Sequence, residues 1–180
     1  NLIQVMKEEP KICHYLDLPI QHASDRILKR MGRRTSKAQL IEIIEKLRRE
    51  IPDIALRTTL IAGFPGETPE AHEEMMQFVN DMEFDRLGCF PYSPEEGTKA
   101  ASFENQIDEE VATHRADIIM EQQFDIFQYK QKKLIGTTVQ CIVEGYDAFS
   151  DSYFGRTWMD APEIDSGINF VSERELGIGE

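Results

Sequence analysis

The run Leu56–Thr68, LRTTLIAGFPGET, constrains this chain more than any other stretch. Leu56 to Ala62 reads as a buried strand that breaks at Gly63-Phe64-Pro65-Gly66 and restarts as a helix after Thr68 and Pro69. Thr68 is a natural N-cap, and proline suits the first helical position because the N–H it lacks would have no helical partner there. A strand that ends in glycines and turns into a helix N-terminus leaves bare backbone N–H groups at one end of a sheet. In α/β folds that end is where ligands sit. The same punctuation also serves an empty βα turn, so the run defines an architecture before it defines a ligand.

The flanks extend the pattern. Lys11–Leu18 fits a short strand ended by Pro19, and Ser24 is placed to cap a helix Asp25–Met31 that stops at Gly32. Ser36 and Gln39 form a capping box for the next helix, with Leu40, Ile43, Ile44, Leu47 and Ile51 on one face. Met75, Phe78, Val79 and Met82 supply the buried side of the helix after the glycine turn, and Phe84–Phe90 reads as a third strand. A long helix, Asp108–Ile135, opens on acids and closes on lysines, as its dipole favours. Its expected packing stripe is Val111, Ile118, Ile119, Phe124, Phe127 and Leu134.

Strand and helix in alternation are the sequence form of a parallel sheet with right-handed crossovers. Three strands are few for such a sheet, so the expectation is the second half of a larger barrel or sheet. Beyond Gly136 helical periodicity stops, and Thr137–Val143, Tyr153–Trp158 and Ile168–Val171 read as short strands. The expected division is an α/β domain over residues 1–136 and a small all-β domain over 137–180.

Charge narrows the partners. The formal net charge of −13 argues against broad attraction to nucleic acid and suits a basic partner. Residues 137–180 hold nine acidic and two basic side chains, a formal −7; the plain alternative is that these acids only keep a surface soluble. The cluster Lys29, Arg30, Arg33 and Arg34 reads first as a solvated face and second as a binding patch. Cys13, Cys89 and Cys141 have neither disulfide nor zinc spacing and read as small core residues. With no membrane-length apolar run and no signal-peptide pattern, the expected location is the cytosol. A start at Asn1 and an end in Gly-Ile-Gly-Glu suggest part of a longer protein.

In a parallel sheet the C-terminal strand ends converge on one mouth. Gln21 and His22, Gly63 to Glu67, and Tyr92 with Ser93 would meet there. Aromatic, amide and glycine backbone together suit an adenosine-like ligand. No nucleophile and base stand at a defensible spacing, and His22 alone reads as structural or exposed. Arg57 is either salt-bridged within the fold or a carboxylate clamp.

Four runs carry a resemblance beyond periodicity: YLDLPIQHASDRILKRMGRR, LRTTLIAGFPGETPE, FDRLGCFPYSPEEGT and FGRTWMDAPEID. In this order they resemble the methylthiotransferase family of radical S-adenosylmethionine enzymes, from about Tyr15 to the terminus. The branch acting on adenosine in transfer RNA carries serine-glycine after Pro-x-Gln and lacks the Asp-Ala-Pro-Glu-Ile-Asp ending. This chain has Gln21-His22-Ala23-Ser24 and Asp160–Asp165 instead, and so resembles the branch that methylthiolates an aspartate of a small-subunit ribosomal protein.

The resemblance implies the C-terminal part of a radical S-adenosylmethionine (β/α) barrel followed by an incomplete TRAM-like, OB-like β-barrel. It implies S-adenosylmethionine near Gln21, Arg57, Gly63, Phe64, Pro65, Gly66, Glu67 and Tyr92. A basic ribosomal protein would lie near Asp160, Glu163 and Asp165. The family's 4Fe-4S clusters need a CxxxCxxC set that this chain does not contain, so their ligands would lie elsewhere and the segment alone would be inactive. Two alternatives stay open: a transfer-RNA adenosine methylthiotransferase, and a non-catalytic substrate-docking segment.

Overall fold

Three strands, β1 (Tyr15–Asp17), β2 (Ala55–Ala62) and β3 (Arg86–Pro91), pair in that order as a parallel sheet. The computed structural model describes residues 2–180. Successive side chains of a strand alternate between faces, and β2 shows it cleanly. Leu56, Thr58, Leu60 and Ala62 are buried, whereas Arg57, Thr59 and Ile61 are only half-buried. The buried side meets α3 (Lys37–Glu50), α4 (Pro69–Met82) and α5 (Glu109–Lys133) in one cluster built around Ile44, Leu47, Met75, Phe78, Phe84 and Ile119. The other side continues through the partners Arg86, Gly88 and Phe90, and Phe90 is 55% exposed, so this face is partly open.

Local rules explain the element ends. The Ser36–Gln39 capping box forms in both directions, Thr68 caps α4 by accepting from the Ala71 N–H, and Asp108 caps α5 from its side chain. Ser24 occupies the N-cap position of α2 (Asp25–Arg30) but makes no side-chain cap bond; its backbone N–H turns back to His22 Nδ1 at 2.9 Å. β1 is shorter than expected because Lys11, Ile12 and Cys13 are exposed and pairing starts only at Tyr15 opposite Ala55. After Pro19 the chain rejoins β2 through a single bridge, Gln21 to Leu60. An amphipathic helix that the sequence patterns did not lead us to expect, α1 (Leu2–Glu8), buries Ile3 and Met6.

The stripe on α5 differs from the expected one. Ala112, Ala116, Ile119, Gln123 and Ile126 are buried, while Val111 and Phe124 are 42% and 58% exposed. Alanines on the inner side let the helix approach the sheet closely, and the amide nitrogen of the buried Gln123 donates to the Phe84 carbonyl at 2.9 Å. Bulk decided the expectation; closeness of approach decided the packing.

After Gly136 a second sheet forms from β4 (Ile142–Asp147), β5 (Ser152–Arg156) and β6 (Ile168–Phe170), all antiparallel, in that order. β4 starts five residues later than the expected Thr137, since 137–140 have no strand partner. Its outer edge is covered: Val143 donates to Glu180 O at 2.9 Å and accepts from Gly179 N at 2.8 Å. Among the described residues no helix is long and apolar enough to cross a membrane.

Candidate functional site

Gln21, Phe64 and Tyr92 meet at the C-terminal end of the parallel sheet. Gln21 takes a left-handed backbone, φ 73°, which lets its N–H donate to Thr59 O at 2.9 Å and its carbonyl accept from Ile61 N at 2.8 Å. The side chain is thereby carried to the rim. Tyr92 N–H donates to Ala62 O at 2.8 Å, which holds the third strand end beside the glycine turn. Phe64 meets Tyr92 edge-on, with ring centroids 5.1 Å apart, and Phe103 likewise at 6.2 Å. The Tyr92 hydroxyl is buried with no hydrogen-bond partner among the described residues. Such an orphan is what a ligand's polar group satisfies.

The rest of the turn faces inward. Glu67 is fully buried, and its carboxylate accepts from Gly63 N at 3.0 Å, His22 Nε2 at 3.0 Å and Arg115 Nη1 at 2.7 Å. His22 Nδ1 accepts from the Ala23 and Ser24 N–H groups at 3.0 and 2.9 Å, so the ring proton sits on Nε2 and points at Glu67. Burial alone would raise the Glu67 carboxyl, but the bonds and charges of His22 and Arg115 outweigh it and hold the group below the usual glutamate value. Glu67 therefore braces the turn instead of lining a pocket, and His22 is its structural partner. Gly63 backs onto α5, Gly66 N–H donates to Asn105 O at 2.9 Å, and Pro65 O accepts from Arg30 Nε at 3.0 Å. Of the five residues Gly63 to Glu67, Phe64 is the one whose side chain lines the recess at the mouth.

Arg57 is not at this mouth. It stands six residues before Gly63 on β2, about 20 Å along a strand, and pairs with Asp17 at 2.7 Å and with Asp165 at 3.7 Å. Of its two expected roles, the structure takes the internal salt bridge. Asp165 also accepts from the Tyr15 hydroxyl at 2.9 Å, and Asp160 holds Arg86 while accepting from Thr157 N and Oγ1. Both acids are nearly buried, with side chains 5% and 6% exposed. They attach the β module to the N-terminal ends of the parallel strands, so neither is free to meet a substrate; Glu163 is exposed. The sequence could not distinguish these fates, because an acid in a turn reads alike whether its partner is water or a distant arginine.

Removing Arg86 should therefore uncouple the two sheets. Arg86→Met leaves Asp160 buried without its cation, a change of about 3–5 kcal/mol. We expect earlier cleavage in the 137–141 connection by limited proteolysis, and partial recovery in Arg86→Met/Asp160→Asn. Unchanged proteolysis in the single variant would show that the pair does not hold the module.

The cysteines form no metal centre. Cys13 and Cys141 line one recess while Cys89 is buried apart from them in the core, and among the described residues no three His, Cys, Asp or Glu side chains are grouped for a metal. Burial pushes the Cys89 thiol up to about 12, far from the thiolate a cluster needs. These residues do not fit a 4Fe-4S cluster. Gln21, Phe64 and Tyr92, with an aromatic wall, an amide and an unpaired hydroxyl, do fit a nucleoside.

Two family models match parts of the chain. The radical SAM superfamily matches residues 1–79, and the TRAM domain matches residues 135–180. Proteins named ribosomal protein uS12 methylthiotransferase RimO are similar along the whole chain: 52% identical over 180 residues in Lachnoclostridium phytofermentans, 48% over 181 in Desulfitobacterium hafniense and 47% over 181 in Geobacter sulfurreducens. The chain spans 41%, 40% and 40% of their respective lengths. Among solved structures, coproporphyrinogen III oxidase (HemN) from Escherichia coli, a radical SAM enzyme, shares the fold with TM-score 0.51 and 20% identity, covering 77% of this chain and 30% of that one.

Proposed function

Because this chain belongs to the methylthiotransferase family of radical S-adenosylmethionine enzymes, we propose that it serves the addition of a methylthio group to the β-carbon of an aspartate in a small-subunit ribosomal protein. The observation that carries the reading is the likeness, at about half identity along its whole length, to relatives named for acting on uS12. A basic ribosomal protein suits the acidic β module, and a ribosomal substrate suits a cytoplasmic enzyme. The proposed domain boundary lies at Gly136, where α5 has ended and the connection to β4 begins.

When bound, S-adenosylmethionine supplies the one-electron chemistry that functionalises an unactivated C–H bond. The residues that would hold it are Gln21, Phe64 and Tyr92. Phe64 and Tyr92 offer apolar ring surface to an adenine and keep water from it; the Gln21 amide and the Tyr92 hydroxyl offer polar contacts that orient the nucleoside. Gly63, Pro65, Gly66 and Glu67 act through shape: they hold Phe64 at the rim. The 4Fe-4S cluster of the family is proposed to rest on cysteines other than Cys13, Cys89 and Cys141.

The test is mass spectrometry on the full-length enzyme with its clusters reconstituted, supplied with uS12 and with transfer RNA in parallel. The expected result is one methylthio group in place of hydrogen on an aspartate of uS12 and no change in the nucleosides. Methylthioadenosine in the transfer RNA, with unmodified uS12, would establish the rival reading.

A further inference from the structure

The outward side of α5 carries an apolar groove that no other described element covers. Met120 and Phe124, one helical turn apart, are 39% and 58% exposed. With Asp117, Glu121 and Asp125 they line a shallow depression of about 630 Å³. The opposite side of the same helix is already taken up by the core through Ala116, Ile119 and Ile126. The three acids stand at i, i+4 and i+8, a spacing at which like charges destabilise a helix. None of them has a hydrogen-bond or ion-pair partner among the described residues. Arg115 and Lys130, at either end of this stretch, turn away to Glu67 and Asp85, and residues 116–129 between them hold no lysine or arginine. The groove also adjoins the mouth. Met120 Sδ accepts from the Cys89 N–H at 3.2 Å on the outer edge of β3, beyond which the parallel sheet has no further strand. Cys89 lies three residues before Tyr92, about 10 Å along a strand.

An apolar slot flanked by unpaired carboxylates fits a segment that carries a hydrophobic side chain among cations. Resting on the ribosomal-protein reading above, we propose that this groove docks an extended basic segment of the substrate protein, the residues that flank its target aspartate. A ribosomal protein is rich in lysine and arginine because its structural partner is phosphate. With the target residue at the mouth, an extended chain covers the intervening distance in about three residues, so its flanking side chains reach Met120 and the carboxylates. Phe124 supplies the apolar anchor, and Asp117, Glu121 and Asp125 select for cations beside it. Asp160 and Asp165, expected from the sequence to meet the substrate, are taken up by Arg86 and Arg57. A transfer-RNA backbone brought to the α5 groove would meet like charge.

The experiment measures binding to the full-length protein by fluorescence anisotropy, without turnover. The probes are a labelled uS12 peptide spanning its target aspartate and the same peptide with its flanking lysines and arginines replaced by glutamine. The triple variant Asp117→Asn/Glu121→Gln/Asp125→Asn should lose about tenfold affinity for the basic peptide and less than about twofold for the neutral one. Phe124→Ser should lose about tenfold for both, because its contact is apolar. The control Glu42→Gln/Glu45→Gln/Glu175→Gln removes the same charge from exposed sites away from α5 and should lose less than about twofold for either peptide. Affinity for S-adenosylmethionine, measured by calorimetry, should stay within about twofold of the parent in every variant. Matching thermal midpoints check folding; if the triple variant fails this check, Glu121→Gln alone, at an exposed site with no internal partner, gives the same comparison at smaller amplitude.

Losses in the control equal to those in the α5 triple variant would assign the attraction to net charge and overturn the proposal while leaving the ribosomal-protein reading standing. A lowered thermal midpoint in Phe124→Ser, with peptide affinity unchanged, would show that another part of the full-length chain covers the groove. A parent dimer that Phe124→Ser dissociates, seen by sedimentation, would assign the groove to a second copy. Either of these results overturns the proposal. Failure of the parent to bind the basic peptide would overturn both the proposal and the reading beneath it.

Discussion

Glu67→Ala is expected to destabilise the fold by about 3–5 kcal/mol, because it removes one partner from a buried ionic cluster and strands the others. Arg115, 12% exposed in its side chain, would lose its carboxylate, and the Gly63 and His22 N–H groups would lose their acceptor. Urea unfolding at neutral pH should show the loss as a lower midpoint, and a midpoint equal to the parent's would contradict the account. Glu67→Gln separates charge from shape and adds a pH signature. Since the folded carboxyl lies below its usual value of 4.5, its ionised form contributes stability that is fully present above that value. That contribution fades as pH falls through the depressed folded value. The gap between parent and Glu67→Gln should thus be widest near neutrality and shrink on acidification below about pH 4.5. A gap that widened on acidification would mean the carboxyl is protonated in the fold.

Gly63→Ala should be comparably severe for a steric reason. A Cβ at this position would lie 2.3 Å from Ala112 Cβ and 2.8 Å from Ala112 Cα, and the backbone has φ +75°. Overpacking against a helix backbone costs about 1–3 kcal/mol, and a left-handed conformation with a side chain about 1–2 kcal/mol more. A fall of about 10 °C or more in the thermal midpoint is expected. Ala112→Gly in the same chain removes the nearer clash but leaves the one with the helix backbone, and the strain with it. The double variant should recover only part of the loss, and full recovery would show the backbone strain to be negligible. A drop in S-adenosylmethionine affinity on substituting Gly63 would therefore report displacement of α5, not a lost ligand interaction; Tyr92→Phe, which removes only the unpaired hydroxyl, is the cleaner probe of the mouth.

Much of the fold was legible because it rests on rules acting over a few residues. The Ser36–Gln39 box, the Thr68–Pro69 start of α4 and the acidic opening of α5 are each settled within one helical turn. The alternation of strand and helix led to the parallel sheet by the same means, and the four runs from Tyr15 to Asp165 were enough to indicate the family. The stripe on α5 was misread because hydrophobicity was taken for burial, and Ala112 and Ala116 pack where their smallness, not their apolar area, is needed.

The candidate site divides along the same line. That Gln21, the glycine turn and Tyr92 share one end of a sheet follows from strand direction alone, and local pattern was enough to place them there. Packing set the rest: Glu67 turns inward to His22 and Arg115, Arg57 faces Asp17 and Asp165 at the far end of the strand, and Asp160 and Asp165 join two sheets. The partners of Glu67 lie 45 and 48 residues away. A carboxylate's local neighbours do not say which cation will reach it, because that choice is made by packing between elements distant in the chain, and burial then makes the chosen pair hard to exchange.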